Sequence, residues 1–318
     1  MTARDVGAPL VSILIPAHNA EPFLADCIES ALGQTYPATE IVVVDDGSTD
    51  GTLAIARRYE SSKVKVISQP NGGQPAAYNT AAAVAQGDYF QYLDADDLLH
   101  PEKIGKQLAR LAGSSPNTVA AGAWARFVGD PNSARFKPEP VWTDLDPVTW
   151  LSVSWTGGGM MHVASWLLPR QAAETAGPWV VGGRWATNVD GDFFTRAVLA
   201  SDGCVFVADA LAYYRCVPHS HSSRRDRRSL AASLGVLLSM GRALLTVEDS
   251  ERTRLAFAVN LQRFVYDVYP GVPDLVASAE GHIKRLGGAR LRFAAGPTTT
   301  LLARLIGWKC AKRLRQMM

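Results

Sequence analysis

The segment "YFQYLDADDLLHP" (residues 89–101) breaks from an apolar run into three carboxylates, Asp94, Asp96 and Asp97. Like charges so close together are costly unless a positive group sits among them. An Asp-x-Asp at the end of a buried strand offers hard oxygen ligands on a short turn, a donor set that suits Mg2+ or Mn2+ held together with substrate phosphates. Alone, the same residues read at least as well as an acidic turn capping the helix that starts near Pro101. A second acidic pair, Asp45-Asp46 in "IVVVDDGSTDGT", has carboxylates able to accept hydrogen bonds from a base or ribose, or simply to serve a Gly-Ser turn. "NGGQPAAYN" puts two glycines before a helix, where backbone can approach a ligand or turn tightly.

These residues need elements to hold them. Four β-rich runs, "LVSILIP", "EIVVVDD", "VKVIS" and "DYFQYLD", alternate with helical patterns. The first helix, "AEPFLADCIESALGQ", gathers Phe23, Leu24, Cys27, Ile28, Ala31 and Leu32 on one face, with Asn19 as its expected N-cap. The order βαβαβαβα predicts an α/β domain with a mostly parallel sheet and helices on both faces. Ligands of such sheets bind outside the carboxyl ends of the strands, where three of these runs deposit His18-Asn19, Asp45-Asp46 and Asp94-Asp96. The alternation stops after about residue 112, and from about Arg227 the pattern is almost wholly helical. The expected units are 1–112, 113–226 and 227–318.

Composition narrows the function classes. The 318 residues are 47% hydrophobic and 19% charged, enough for a large core. The N-terminus has no apolar segment of signal-peptide length, and "SLAASLGVLLSMGRALLTV" is interrupted by Arg242, so a packed helix and a cytoplasmic location are expected. Four dispersed cysteines form no CxxC pair, which argues against zinc. The net charge of +2 conceals nine basic and no acidic residues after Glu280, leaving about −7 on residues 1–280. That is a basic tail on an acidic body, not the uniform charge of a nucleic-acid binder.

Together "VSILIPAHNAEPFLADCIESALGQTYPATEIVVVDDGSTDGT", "NGGQPAAYNTA" and "GDYFQYLDADDLLHPEKI" resemble the nucleotide-sugar-binding half of family two glycosyltransferases, which have the GT-A (Rossmann-like) fold. The resemblance implies that Pro16, Ala17, His18, Asn19 and Glu21 border the nucleotide, that Asp46 contacts the base and that Asp94 lies along ribose and diphosphate. Asp96 would be the main protein ligand of a Mn2+ or Mg2+ ion. Tyr78 replaces the arginine that many members carry in an "ARN" triplet. In "NVDGDFFTRAV" Asp190 falls at the catalytic-base position, with Val189 in place of the usual glutamate. "YYRCVPHSHSSRRDRR" is similar to the segment that closes over the diphosphate, so His219 or His221 would add a metal ligand and Arg215, Arg224 or Arg225 would balance phosphate charge.

Of the eight tryptophans, Trp155 and Trp185, flanked by glycine-rich text, are the expected acceptor-facing pair; the others are expected in the core. The implied chemistry is a single inverting displacement. Asp190 deprotonates an acceptor hydroxyl, which attacks a nucleotide-activated sugar, with a UDP-sugar the expected donor and a glycan or lipid-linked acceptor, as in assembly of a cell-surface polysaccharide, glycolipid or glycoprotein. The rivals are an inactive nucleotide-sugar-binding module and a DxD aspartate-nucleophile phosphatase, although here three βα units precede the motif. A nicotinamide-binding dehydrogenase is a weaker rival still, because "ILIPAHNAEPF" lacks the glycines of a pyrophosphate turn. Finally, the tail "TTTLLARLIGWKCAKRLRQMM" combines aliphatic, basic and Trp308 side chains as an amphipathic helix, suited either to packing on the body or to peripheral contact at the inner face of a membrane.

Overall fold

The computed structural model describes residues 7–183, 185–217, 225–293 and 296–317. The first unit runs β1 (Val11–Ala17), α1 (Leu24–Leu32), β2 (Thr39–Asp46), α2 (Thr52–Arg58), β3 (Val64–Gln69), α3 (Gln74–Val84) and β4 (Tyr89–Tyr92). The short β5 (Leu98–Leu99), α4 (Lys103–Leu111) and β6 (Val119–Phe127) follow. Next come α5 (Pro147–Val153), β7 (Trp166–Pro169), α6 (Arg170–Ala176), α7 (Val189–Leu199) and β8 (Cys204–Arg215). The chain ends in α8 (Arg227–Val247), α9 (Glu251–Val268), α10 (Pro273–Arg285), α11 (Pro297–Ile306) and α12 (Trp308–Met317).

Among the described residues eight strands form one sheet in the order β3-β2-β1-β4-β7-β6-β8-β5. The half β3-β2-β1-β4 is parallel throughout, as βα alternation requires, and its β1 and β2 are near-continuous apolar runs buried on both faces. Beyond β4 the sheet becomes mixed, because β7 pairs antiparallel with both β4 and β6 while β6 and β8 run parallel. The main apolar core extends from Val11 through Phe193 to Ile283, with a small second cluster around Phe127 and Ala134.

Asn19 is not the N-cap of α1, which begins five residues later. It adopts φ 50°, and its Oδ1 accepts a hydrogen bond from Thr49 N at 2.8 Å. A short polar side chain tolerates that left-handed backbone and ties the β1 loop to the β2 loop. Helix α8 is, among the described residues, the one long and apolar enough to cross a membrane by length and composition. Its Leu234, Leu237, Met240 and Leu244 are buried, and a Cβ at Gly241 would stand 2.1 Å from the Phe257 ring, so α8 and α9 are in close contact.

The tail is two helices rather than one, broken at Gly307 (φ 80°). Trp308 does not face outward: its ring packs edge-on against Tyr266 (4.8 Å) and Tyr269 (5.2 Å) and anchors α12 on α9. Helix α11 keeps Leu301, Leu302, Leu305 and Ile306 exposed.

Candidate functional site

The strand ends meet where the topology predicts, but the hydrogen bonds divide the labour differently. Pro16 and Ala17 are buried in β1, while His18 and Asn19 are exposed beyond it. His18 Nδ1 lies 2.9 Å from the Asp46 carbonyl, and Glu21 Oε2 accepts from Gly51 N at 2.8 Å. Asp46 Oδ1 accepts from Gln69 Nε2 (2.7 Å) and Gly72 N (2.9 Å), and Oδ2 accepts from Gly73 N (2.7 Å). At 2% exposure that carboxylate is engaged by the glycine loop. The loop in turn uses glycine where it must: Gly73 sits at φ 87°, and a Cβ on Gly47 (φ 69°) would lie 2.7 Å from Asn71 N. Its neighbour Asp45 is 1% exposed, and Oδ1 has no hydrogen-bond partner among the described residues.

The Asp94 carboxylate, just past β4, accepts 2.7 Å bonds on Oδ1 from Gln74 Nε2 and the Tyr78 hydroxyl. Tyr78 is fully buried, stacked on Trp179 at 4.5 Å, and burial holds its hydroxyl neutral. A neutral donor thus stands where the family resemblance leads one to expect a cation. Burial, and then the Asp96 and Asp190 carboxylates, push Asp94 up to about 7. Burial likewise raises Asp96 and Asp190.

Asp97 is not the turn or helix cap expected from sequence. It is fully buried, and Oδ1 accepts from Arg215 N at 2.8 Å. Its Oδ2 lies 3.2 Å from His162 Nε2, but among the described residues it accepts no well-aligned hydrogen bond. Ligand atoms of Asp94, Asp97 and His162 all lie within 4.8 Å of one another. Asp96 stands beside this group, near enough to raise Asp94 and Asp97, but its side chain is outside it. The Ala164 N–H donates to His162 Nδ1, so the ring proton belongs on Nε2; burial, then Arg126, drive the imidazole down to about 3, leaving it neutral. An unpartnered buried carboxylate oxygen among further carboxylates fits a hard divalent cation, with oxygen rather than imidazole as the ligand.

Asp190 lies in the first turn of α7, where Asp94 feels its charge. Asp192 turns away into an ion pair with Arg196 at 2.9 Å. Val189 is core, 7% exposed. The Arg215 guanidinium is engaged beside the acidic turn: Nε donates to the Asp96 carbonyl (2.7 Å) and Nη2 to Asp26 Oδ2 (3.1 Å). His219, His221 and Arg224 lie outside the described residues, and Arg225 stands 3.7 Å from Asp267. Trp155 is 6% exposed, so it is core rather than an acceptor platform. Trp185 is half-buried and has one face covered by the Arg228 guanidinium at 4.0 Å.

Sequence reasoning missed Gln74, and also His162 and Arg126, which lie far in sequence from the motifs. Of these, only Gln74, in the quoted "NGGQPAAYN", carried a signal.

Residues 12–165 match the family described as "Glycosyl transferase family 2". The chain is 45% identical over 98 residues to a chondroitin synthase of Escherichia coli, covering 30% of this chain and 14% of that protein. It is 34% identical over 174 residues to an uncharacterized glycosyltransferase of Rickettsia conorii, covering 53% and 28% respectively. The chain therefore spans a third or less of the length of these relatives. Its fold is shared with S. aureus TarS 1–349, solved in complex with UDP-GlcNAc, at TM-score 0.73 and 18% identity over 97% of this chain and 92% of that one. With the family's motifs in order along one parallel half-sheet, residues 12–165 belong to glycosyl transferase family 2.

Proposed function

We propose that the chain is an inverting glycosyltransferase that moves a sugar from a nucleotide-diphosphate donor to an acceptor hydroxyl in polysaccharide or related glycan synthesis. The observation that carries this reading is the opposition of two groups: the acidic turn 94–97 after β4, with its unpartnered Asp97 oxygen, and Asp190 in the first turn of α7. Asp94 and Asp97, with Asp96 beside them, would hold Mn2+ or Mg2+. A divalent cation bound there supplies charge neutralisation for a departing diphosphate. Asp190 accepts the proton of the acceptor hydroxyl; burial raises its pKa, which makes its carboxylate a stronger base than that of a solvated aspartate. Gln74 and Tyr78 orient Asp94, and Arg215 braces the turn from below. The loops of residues 18–21, 46–51 and 71–74 form the nucleotide edge, with backbone and exposed side chains facing the donor while Asp46 holds their shape.

UDP-GlcNAc is the first donor to test because the TarS neighbour was solved with it. The test is Mn2+-dependent release of UDP or another nucleoside diphosphate from a panel of nucleotide sugars. A protein that binds no donor with Mn2+ and turns none over overturns the reading, whereas binding without turnover favours the inactive module.

The exposed Leu301, Leu302, Leu305 and Ile306 of α11, beside Arg304 in a tail without acidic residues, suit an anionic lipid surface, which would place the enzyme at the inner face of a membrane. Flotation with vesicles containing phosphatidylglycerol is expected for the full chain and lost in Leu301→Ser/Leu305→Ser. Equal flotation of both proteins, or none of either, removes this part of the proposal.

A further inference from the structure

The cations around the acidic turn are not alike. Arg215 is spent on Asp26 and the Asp96 carbonyl. Arg126 is exposed, and among the described residues no carboxylate lies within ion-pair distance of it and no hydrogen bond engages it. It is nonetheless held in place. Its guanidinium carbon lies 5.1 Å from the Trp124 ring centre and 5.4 Å from that of Tyr214. Such contacts suit a planar cation whose N–H edges remain unspent.

The strand register explains the arrangement. Gly122 approaches β8 so closely that a Cβ would fall 2.1 Å from the Ala210 carbonyl oxygen, and the pairing shifts between Gly122 and Trp124. After this irregularity Arg126 is directly opposite Tyr214, and Trp124, two residues earlier, shares its face. Both rings are themselves fixed. Trp124 Nε1 donates to the Met160 carbonyl at 3.1 Å, and Tyr214 stacks on His162 at 4.4 Å. His162 is the neighbour of Asp97, so contacts run without a gap from the acidic turn to Arg126. In the sheet, β6 and β8 lie on the opposite side of β4 from β1 and β2, whose ends carry the nucleotide-edge loops.

We propose that Arg126, seated on Trp124 and Tyr214, is an anion-binding subsite for the acceptor, which carries a phosphate or carboxylate near the reacting hydroxyl. The proposal rests on the glycosyltransferase reading and narrows its acceptor class. An acidic acceptor approaching three carboxylates needs a fixed cation to offset their repulsion, and a guanidinium edge matches either anion bidentately.

The test titrates glucose 6-phosphate, glucuronate and glucose into the full chain, with and without UDP or GDP plus Mn2+, and measures affinity for each. The expected result is at least about tenfold tighter binding of the two anionic probes than of glucose, the scale of a charge-assisted bidentate contact. Arg126→Gln should erase that margin, Arg126→Lys should retain part of it, and nucleotide affinity should be the same in all three proteins. The proposal is overturned by the absence of a margin in the wild type, or by a margin that survives Arg126→Gln. A loss of nucleotide affinity in Arg126→Gln overturns it as well, because the anion would then be the donor's diphosphate. Failure of the wild type to bind any nucleotide with Mn2+ would sink the glycosyltransferase reading itself, while the probe margin measured without nucleotide is read independently.

Discussion

The nucleotide-edge half and the acceptor-side half are built on opposite plans. Around β1–β3, most of the polar side chains, Asp45 Oδ1 excepted, are spent on the protein itself: Asp46 on Gln69, Gly72 and Gly73, Asn19 on Thr49, and Glu21 on Gly51. Each of the charge-assisted bonds to the buried Asp46 is worth about 1.5–3 kcal/mol, which holds the glycine loop in place before any ligand arrives. Across β4 the polar groups are left with capacity. Among the described residues Asp97 keeps an oxygen without a hydrogen-bond donor aligned on it, Asp94 feels the charge of Asp190, and Arg126 has rings but no anion. One half presents shape and backbone; the other presents unsatisfied charge, which is costly in the free protein and useful only when a ligand completes it.

The contrast can be broken where chemistry depends on it. The largest effect is expected from Asp190→Asn, which keeps size and removes basicity: kcat should fall by roughly 10²–10⁴, with the melting temperature little changed. A variant with wild-type kcat would remove Asp190 from the reaction.

A second prediction sharpens the account of unsatisfied charge. Asp94 is raised to about 7 from an unfolded value near ~3.9, so the folded state holds a proton there that the unfolded chain does not. That contribution is complete below about pH 4 and is lost as pH rises toward and through about 7. Metal-free protein should therefore lose this component of stability over that window, and Mn2+ should stabilise it more at pH 7 than at pH 5 because binding displaces the proton. Asp97→Asn should weaken that Mn2+ response on the order of 10–100-fold in affinity. Equal Mn2+ stabilisation at both pH values, read by thermal melts, would count against the cluster.

The smallest effect is expected on the satisfied side. Asp46→Asn should cost about 1–3 kcal/mol of stability, since an amide cannot accept from Gln69, Gly72 and Gly73 together. It should weaken donor binding through the displaced loop while leaving kcat at saturating donor near wild type. A fall in kcat as large as that of Asp190→Asn would erase the distinction between the halves.

Much of the parallel half was legible because its signals are local. Apolar runs of strand length recur at helix-compatible spacing and deposit polar residues at their carboxyl ends, so the positions of His18, Asp46 and Asp94 follow from period and topology. The mixed half was less legible, since β7 returns antiparallel and brings His162 to Asp97 across a separation no motif spans. Trp155 illustrates the same limit, because glycine-rich surroundings suggested access while packing buried the ring. In the tail, the amphipathic pattern was visible, but only the break at Gly307 shows that Trp308 belongs to the core side and the α11 leucines to the surface.

By itself the sequence determined the strand and helix order of the first unit, the acidic strand ends and the presence of Asp190 at the start of a helix. These depend on side-chain type and period, which act over a few residues. The tertiary structure alone decided which carboxylates are spent and which remain available: Asp46 is closed by the glycine loop, Asp97 is half-satisfied beneath His162, and Arg215 is consumed while Arg126 is not. Desolvation and hydrogen-bond satisfaction are properties of neighbours in space, and those neighbours come from strands and loops far apart in the chain.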